Sequence, residues 1–165
     1  YSDERVTSMR TLVVLGDGGH TIQILRLVEL LGPDYEYHYM MSASDRISEA
    51  KIKWRGPVYR VPLPLGKYSD GRGLGRALRA SSRQLSVFLR VRPAVILSMG
   101  ANIAVPISVI GRVMGAKVIH VESASRVYSI SATGKLMYRV AHLFFVQWES
   151  LQKDYPKAIY AGRLR

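Results

Sequence analysis

The chain of 165 residues contains no cysteine, which excludes disulfide scaffolds and thiolate metal sites and fits a cytosolic environment. No apolar run approaches the ~20 residues that span a bilayer. Residues 1–10 are polar and carry no signal-peptide pattern. We therefore expect residues 1–10 to form a flexible segment and residues 11–165 to form a single globular domain.

Acidic residues are absent from the whole window between Gly71 and Val121. The same window is rich in basic side chains: Arg72, Arg76, Arg79, Arg83, Arg90, Arg92, Arg112 and Lys117. The net charge is +12, so the composition predicts an anionic partner, namely nucleic acid, acidic lipid or a phosphorylated substrate.

Several nucleotide and metal motifs are incomplete. Residues 129–136 are similar to a P-loop but lack its first glycine and end in leucine, where Ser or Thr would hold magnesium. The glycine turn at 16–20 lacks the third glycine of the dinucleotide fingerprint. The four histidines show neither HxxxH nor HxH spacing. We expect no metal and no bound cofactor.

Apolar segments of strand type alternate with helical patterns along the chain. The predicted strands are 11–15, 35–41, 58–61, 94–98, 117–121, 143–146 and 158–160. The predicted helices are 21–31, 74–91, 103–114 and 131–140, with short helical or irregular segments at 46–53 and 149–155 and a glycine-containing loop at 66–75. This order predicts an α/β fold with a doubly wound, mostly parallel sheet.

The segment Gly16-Asp-Gly-Gly-His20 joins the first strand to the first helix. Glycines allow a tight turn and close approach of a ligand, and the helix amino terminus attracts phosphate. His20 adds a titratable donor to this point. Two alternatives remain open: the glycines form only a tight connection, or His20 caps the helix.

Ligands of such sheets bind beyond the carboxyl ends of the strands, so the segments 17–21, 98–102, 122–126 and 147–148 should converge. Glu122 follows a strand there and should face the same crevice as His20. An imidazole and a carboxylate at one point favour acid–base chemistry on a hydroxyl. The alternative is that Glu122 pairs with Arg126, four residues later.

The helix 74–91 carries two separate stripes. Arg72, Arg76, Arg79, Arg83 and Arg90 share one face, and Leu74, Leu78, Leu85 and Leu89 share another. The functional interpretation is docking on an anionic membrane. The alternative is a surface helix whose arginines face water.

Five segments of the sequence form one signature: Leu15-Gly-Asp-Gly-Gly-His-Thr21, His120-Val-Glu-Ser-Ala-Ser-Arg126, Thr133-Gly-Lys-Leu136, Phe145-Val-Gln-Trp148 and Tyr155-Pro-Lys-Ala-Ile-Tyr-Ala-Gly-Arg-Leu164. In these segments the chain resembles the Alg14 family. These motifs span nearly the whole chain in family order. The first two are also similar to the amino-terminal domain of the bacterial MurG glycosyltransferase.

The resemblance implies the Rossmann-like amino-terminal half of an inverting, metal-independent GT-B glycosyltransferase. An Alg13-like partner would bind the UDP-sugar, and this chain would bind a lipid-pyrophosphate-linked sugar. The enzyme would work on the cytoplasmic face of a membrane, which is the plasma membrane in a prokaryote and the endoplasmic reticulum in a eukaryote. The sugar transferred would be N-acetylglucosamine. His20 or Glu122 would act as base. The acceptor's diphosphate would contact Gly18, Gly19, Thr21, Gly100, Asn102, Ser123 and Arg126, and the membrane would contact Arg72, Arg76, Arg79 and Arg83.

Two other function classes remain possible on the sequence. One is a non-catalytic membrane adaptor for a glycosyltransferase of polysaccharide synthesis. The other is a nucleic-acid binder, which only the charge favours, because the chain has neither an RNA-binding aromatic motif nor a helix-turn-helix pattern. We therefore expect no nucleic-acid partner.

Overall fold

The computed structural model describes residues 8–16, 18–64 and 73–164. Its strands are β1 (Arg10–Val14), β2 (Glu36–Ser42), β3 (Val58–Val61), β4 (Val95–Met99), β5 (Lys117–Val121), β6 (Leu143–Val146) and β7 (Ile159–Tyr160). Its helices are α1 (Gly19–Leu31), α2 (Gly73–Val91), α3 (Ala104–Val113) and α4 (Ala132–Val140), with 3-10 turns at Ser48–Lys51 and Glu149–Lys153. Asp17, Arg72 and most of the predicted 66–75 loop lie outside the described residues.

The seven strands form one parallel sheet in the order β3-β2-β1-β4-β5-β6-β7. β1 lies between β2 and β4, so that Leu12 pairs with His38 on one side and Ile96 on the other. The strand order reverses at the boundary between β1 and β4, which is where doubly wound sheets bind ligands. The predicted α/β fold is confirmed.

Helices pack on both faces of the sheet, and alternate strand residues point to opposite faces. Leu12, Val14 and Ile96 contact the core beneath α2 and α3, whereas Val13 and Leu97 contact the core beneath α1. A third apolar cluster lies between α4 and the strands β5 and β6. Both faces of the central strands are buried, which explains their nearly continuous apolar sequences.

Helix α2 turns neither of its predicted stripes toward the core. The side chains that it buries are Ala80, Gln84, Val87, Phe88 and Val91. The leucine stripe points outward instead, with exposed fractions of 76% at Leu74, 63% at Leu78, 39% at Leu85 and 49% at Leu89. The core contact thus occupies a third face between the two stripes. In the part of the chain that the structure describes, no helix is both long and apolar enough to cross a bilayer.

Candidate functional site

The glycine turn leaves the amino terminus of α1 open. Gly18 is the N-cap residue with φ of +66°, and among the described residues, which do not include Asp17, no side chain caps the helix. The first turn carries no acidic residue. Gly18 and Gly19 are exposed, and a Cβ at either position would find no atom within 4 Å. Within the described residues, the positive end of the helix dipole therefore faces open space, as an anion site requires.

The side chain of Thr21 stabilises the glycine turn through hydrogen bonds. Its buried hydroxyl donates to the carbonyl of Gly16 and accepts from Ser48 Oγ at 3.2 Å. Asp45 in turn accepts from the Ser48 backbone N–H at 3.0 Å. We predicted that Thr21 contacts the ligand; the structure commits its hydroxyl to the protein, so that only its backbone remains for an anion.

His20 lies directly against the end of β4. A Cβ at Gly100 would come within 2.6 Å of both Nδ1 and Cε1 of the His20 ring, so only glycine permits this packing. Gly100 also has φ of +63°, a conformation that favours glycine. Asn102 is half-buried in the turn that follows, and its carbonyl accepts from Val105 N. The structure therefore brings His20 and Gly100 together as predicted.

A second histidine lies behind the first. His120 on β5 is completely buried, and its Nδ1 lies 2.8 Å from Ser98 Oγ on the neighbouring strand β4. Burial and then the nearby His20 lower the pKa of His120 to about 3 from its ordinary value of 6.5, so the ring is neutral at physiological pH. The roles of Ser98 and His120 were missed at the sequence level, although their strands were predicted.

Glu122 has a different setting from the one predicted. Its carboxylate is 1% exposed and accepts from the backbone N–H groups of Ser123 and Ser131, both at 3.0 Å. The Ser131 hydroxyl also donates to it, at 3.1 and 3.2 Å to the two oxygens. Ser131 is the N-cap of α4. Glu122 thus joins the end of β5 to the start of α4, and neither His20 nor Arg126 is among its described partners.

The loop after β5 is tied to α1 by two glutamines. Gln23 accepts from Ala124 N at 3.2 Å and from Gln147 Nε2 at 2.9 Å. Gln147 also donates to the carbonyl of Glu122 at 3.1 Å. The sequence did not predict this role of Gln23, because a position in a helical pattern does not reveal contacts with residues as distant in the chain as Ala124 and Gln147. The four predicted segments do meet at this edge of the sheet, apart from Asp17, which is not described.

The other predicted ligand residues differ in exposure. Ser123 is buried, and its hydroxyl lies 3.0 Å from Ser125 Oγ. Arg126 is exposed, and its backbone N–H donates to the Ser123 carbonyl at 3.0 Å. Of the predicted membrane contacts, Arg79 and Arg83 are exposed and Arg76 is half-buried, while Arg72 lies outside the described residues.

An apolar groove of about 430 Å³ lies on the sheet face that carries α1. Its walls come from α1, from the strands β4 to β6 and from the segment 161–164: Leu27, Leu30, Leu31, Leu97, Ile119, Val121, Leu143, Phe145 and Leu164. Leu30 and Leu143 are 64% and 42% exposed. We refer to it below as the α1 groove.

Solved structures share this fold at low sequence identity. MurG of Acinetobacter baumannii superposes with a TM-score of 0.71 at 15% identity, covering 86% of this chain and 42% of MurG. The UDP-GlcNAc 2-epimerase of Neisseria meningitidis gives 0.70 at 15% identity, covering 94% of this chain and 47% of the epimerase. The chain thus spans less than half the length of these proteins. Its fold is the Rossmann-like α/β fold of the matched parts of MurG and of the epimerase.

The sequence places the chain more narrowly. The profile of the family described as "Oligosaccharide biosynthesis protein Alg14 like" matches residues 72–164. The mouse protein "UDP-N-acetylglucosamine transferase subunit ALG14" is 34% identical over 95% of this chain and 83% of its own length. The human protein of the same name is 31% identical with the same coverage. The chain belongs to the Alg14 family, whose named relatives are glycosyltransferase subunits, and the predicted resemblance is confirmed.

Proposed function

We propose that this chain is the acceptor-binding subunit of a glycosyltransferase that moves a sugar from a UDP-sugar to a lipid-pyrophosphate-linked sugar. The named relatives transfer N-acetylglucosamine, and we assign the same donor sugar here. A hydroxyl of the acceptor sugar attacks the anomeric carbon, the hydroxyl proton leaves to a base, and UDP departs. The product is a lengthened lipid-linked oligosaccharide.

The open amino terminus of α1 carries this proposal. Among the described residues, no side chain caps the amino terminus at Gly18 and Gly19, and the phosphate groups of a diphosphate are anions that such a terminus binds. His20 lies beside the turn and is half-exposed, so its ring can reach the acceptor. The side chain of Arg126 is exposed at the same edge of the sheet and adds positive charge.

His20 acts either as the base or as a donor to the diphosphate. A positioned base typically contributes ~10²–10⁴-fold to the rate, so His20→Ala in the assembled enzyme should lower kcat by that factor if His20 is the base. Loss of a diphosphate ligand should chiefly raise the acceptor KM. Activity that survives His20→Ala unchanged in both parameters would instead make this chain an adaptor without a part in the chemistry. His142→Ala is the control for the loss of an imidazole away from the turn; because His142 Nδ1 accepts from Val118 N at 3.0 Å, its stability is measured alongside its activity.

We propose that the catalytic partner binds in the α1 groove. Seven strands need more apolar cover than the 13 residues of α1 provide on this face, and Ile119, Leu143 and Phe145 remain accessible within the groove. A GT-B site lies between two domains, and this chain supplies one. We therefore assign the groove and the adjoining segment 147–164 to contact with an Alg13-like subunit that binds the UDP-sugar.

Leu30→Asp tests this assignment, because it places a charge in the groove without touching the core. Binding to the partner should weaken at least ~10-fold, since a buried unpaired charge is strongly unfavourable. Exposed Ile22→Asp on the same helix is the control and should bind normally. Robust UDP-sugar turnover by this chain alone would contradict the need for a partner.

We also assign α2 to contact with an anionic membrane, which would place the enzyme at the cytoplasmic face. The helix offers exposed arginines at Arg79 and Arg83 and the exposed leucine stripe. Leu89 and Met114 of the loop after α3 line one shallow groove beside it. An apolar stripe flanked by basic residues is typical of helices that lie in the membrane interface.

Sedimentation with vesicles of anionic lipid distinguishes the contributions of the arginine stripe and the leucine stripe of α2 to membrane binding. Arg79→Glu with Arg83→Glu should reduce binding most at low salt, where screening is weakest. Leu78→Asp with Leu85→Asp should reduce binding at all salt concentrations, because burial of apolar surface is insensitive to screening. Exposed Lys153→Glu with Lys157→Glu serves as the charge-matched control. If both α2 variants bind as the parent does, α2 is a solvated surface helix.

A further inference from the structure

A basic cavity of about 360 Å³ lies between α2 and β3, at one edge of the sheet. Its polar side chains are Arg60 of β3 and Arg83, Ser86 and Arg90 of α2. None of the described residues that line it is acidic. Its volume lies in the range of about 300–1,000 Å³ that is typical of ligand pockets. We refer to it below as the β3–α2 cavity.

The α2 wall of this cavity presents two guanidinium groups. Arg83, Ser86 and Arg90 follow one another at spacings of three and four residues, so their side chains share one face of the helix. All three are exposed. Arg83 and Arg90 are separated by about 10.5 Å along the helix axis. The Ser86 hydroxyl donates to the Ser82 carbonyl at 3.1 Å, so the free donors of this wall are the guanidinium groups.

The three arginines of the cavity differ in how their charges are balanced. The guanidinium group of Arg60 donates to the Glu49 carboxylate at 2.7 Å and also to the carbonyl of Asp45. Arg83 and Arg90, in contrast, form no ion pair with any of the described residues. Two positive charges on one wall repel each other, and an anion between them would balance both.

The β3 wall adds backbone donors. In the described sheet β3 is the outermost strand and pairs only with β2. The carbonyls of Pro57 and Val61 accept from β2 and from the residue that follows it, both at 2.8 Å. Because alternate residues of a parallel strand bond to the same neighbour, Val58 and Arg60 direct their N–H groups away from β2. Both residues line the cavity.

We propose that the β3–α2 cavity binds a phosphorylated group that carries two or more negative charges. The planar guanidinium group of arginine matches phosphate through two parallel N–H bonds, and the cavity offers two such groups without a carboxylate partner. Pro57 and Pro62 flank the four residues of β3, so the edge is short for an added peptide strand and favours a compact ligand. None of the lining residues belongs to the glycine turn, so this site is independent of the proposed acceptor site.

Site-resolved NMR with inorganic pyrophosphate tests the cavity on this chain alone. The backbone N–H signals of Val58 and Arg60 should shift and saturate with one affinity. The side-chain Nε–H signals of Arg83 and Arg90 should shift with the same affinity. A titration without saturable shifts at these four positions would overturn the proposal.

Lysine variants distinguish a built site from a general positive field. Arg83→Lys with Arg90→Lys keeps both charges but removes the planar donors, so the affinity for pyrophosphate at the cavity should fall at least ~10-fold. Arg79→Lys with Arg139→Lys makes the same exchange at exposed positions outside the cavity and should stay within about 2-fold of the parent. Parental affinity in the first variant would mean that only diffuse charge attracts the anion, which overturns the site.

Two further readouts keep the alternatives apart. The backbone signals of Gly18 and Gly19 report on pyrophosphate at the glycine turn, so failure of the proposed function and failure of this inference are distinguishable. An acidic peptide that shifts Val58 and Arg60 where pyrophosphate does not would assign this edge to a protein partner and overturn the phosphate assignment.

Vesicles then identify the source of the phosphate. Vesicles with phosphatidic acid present a phosphomonoester, and vesicles with phosphatidylserine at matched surface potential do not. Tighter sedimentation with phosphatidic acid that is lost in Arg83→Lys with Arg90→Lys would identify a lipid headgroup, a result that rests on the proposed membrane contact of α2. Equal sedimentation together with pyrophosphate binding would identify a soluble phosphorylated compound. Either result supports the site.

Discussion

Replacing Glu122 by glutamine separates a structural role from the catalytic role that the sequence predicts. The carboxylate accepts from Ser123 N and Ser131 N at 3.0 Å and from the Ser131 hydroxyl. Glutamine has the same shape but offers an amide nitrogen in place of one oxygen. One backbone N–H then faces a donor, and the bonds that remain lose their charge.

The expected loss of stability follows from these contacts. Hydrogen bonds to a charged group contribute ~1.5–3 kcal/mol each, and a buried unsatisfied donor costs ~1–3 kcal/mol. The neutral amide recovers part of this through its smaller desolvation cost. We therefore expect Glu122→Gln to lower the free energy of unfolding by about 2–3 kcal/mol, which corresponds to a fall of roughly 4–12 °C in Tm for a domain of this size.

Urea and thermal unfolding of the chain measure this loss. Glu149→Gln, at an exposed position, is the control and should stay within ~0.5 kcal/mol of the parent. Ser131→Ala removes only the two hydroxyl contacts with Glu122 and leaves the backbone N–H of Ser131 in place, so the double variant should show a coupling energy of ~0.5–3 kcal/mol for the hydroxyl contacts. A Glu122→Gln variant with parental stability but no transferase activity in the complex would refute this reasoning and restore Glu122 as a base.

Two further predictions concern stability. The pKa of His120 is about 3 in the folded chain and 6.5 in the unfolded chain. As the pH falls below 6.5, only the unfolded chain therefore binds this proton. The free energy of unfolding then decreases by up to ~1.4 kcal/mol per pH unit. Urea unfolding at pH 5 and 7.5 should therefore show His120→Gln losing ~2 kcal/mol less than the parent between these values, and identical losses would contradict the assignment. A Cβ at Gly56 would lie 1.9 Å from the Tyr37 carbonyl, so Gly56→Ala should lower the free energy of unfolding by at least ~2 kcal/mol. Gly73→Ala, where nothing lies within 4 Å, should unfold within ~1 kcal/mol of the parent, and equal losses in both variants would show that the clash is relieved elsewhere.

The sheet was predictable because its central strands are buried on both faces. Their apolar runs bounded by turn residues identify the strands, and β3, β5 and β6 begin and end at the predicted residues. The glycine turn was predictable because positive φ favours glycine, and the residues with positive φ at this edge, Gly18 and Gly100, are glycines in the sequence. The strand order follows from long-range packing, which no local pattern encodes.

The partners of individual side chains could not be predicted in the same way. Glu122 follows a strand at the ligand edge, yet its carboxylate binds Ser131, nine residues later. Only the position of α4 over the sheet brings the two together. Similarly, the leucines and the arginines of α2 both have helical spacing, but neither stripe faces the core, because β3 and α3 pack against a third face of the helix. Helical spacing shows which side chains share a face of the helix, but it does not show what that face contacts in the folded chain.

The side chain of Gln147 connects three parts of the molecule that are far apart in the sequence. Its Nε2 donates to Gln23 on α1 and to the Glu122 carbonyl, and its Oε1 accepts from the backbone of Leu164 at 2.9 Å. Leu164 also lines the α1 groove, whereas α1 begins at the glycine turn, which is the proposed anion site. The Gln147 amide thus lies between the proposed surface for the partner and the helix that begins at the proposed anion site. Thermodynamic linkage then makes their coupling reciprocal: whatever factor the first contributes to the affinity of the second, the second returns to the first.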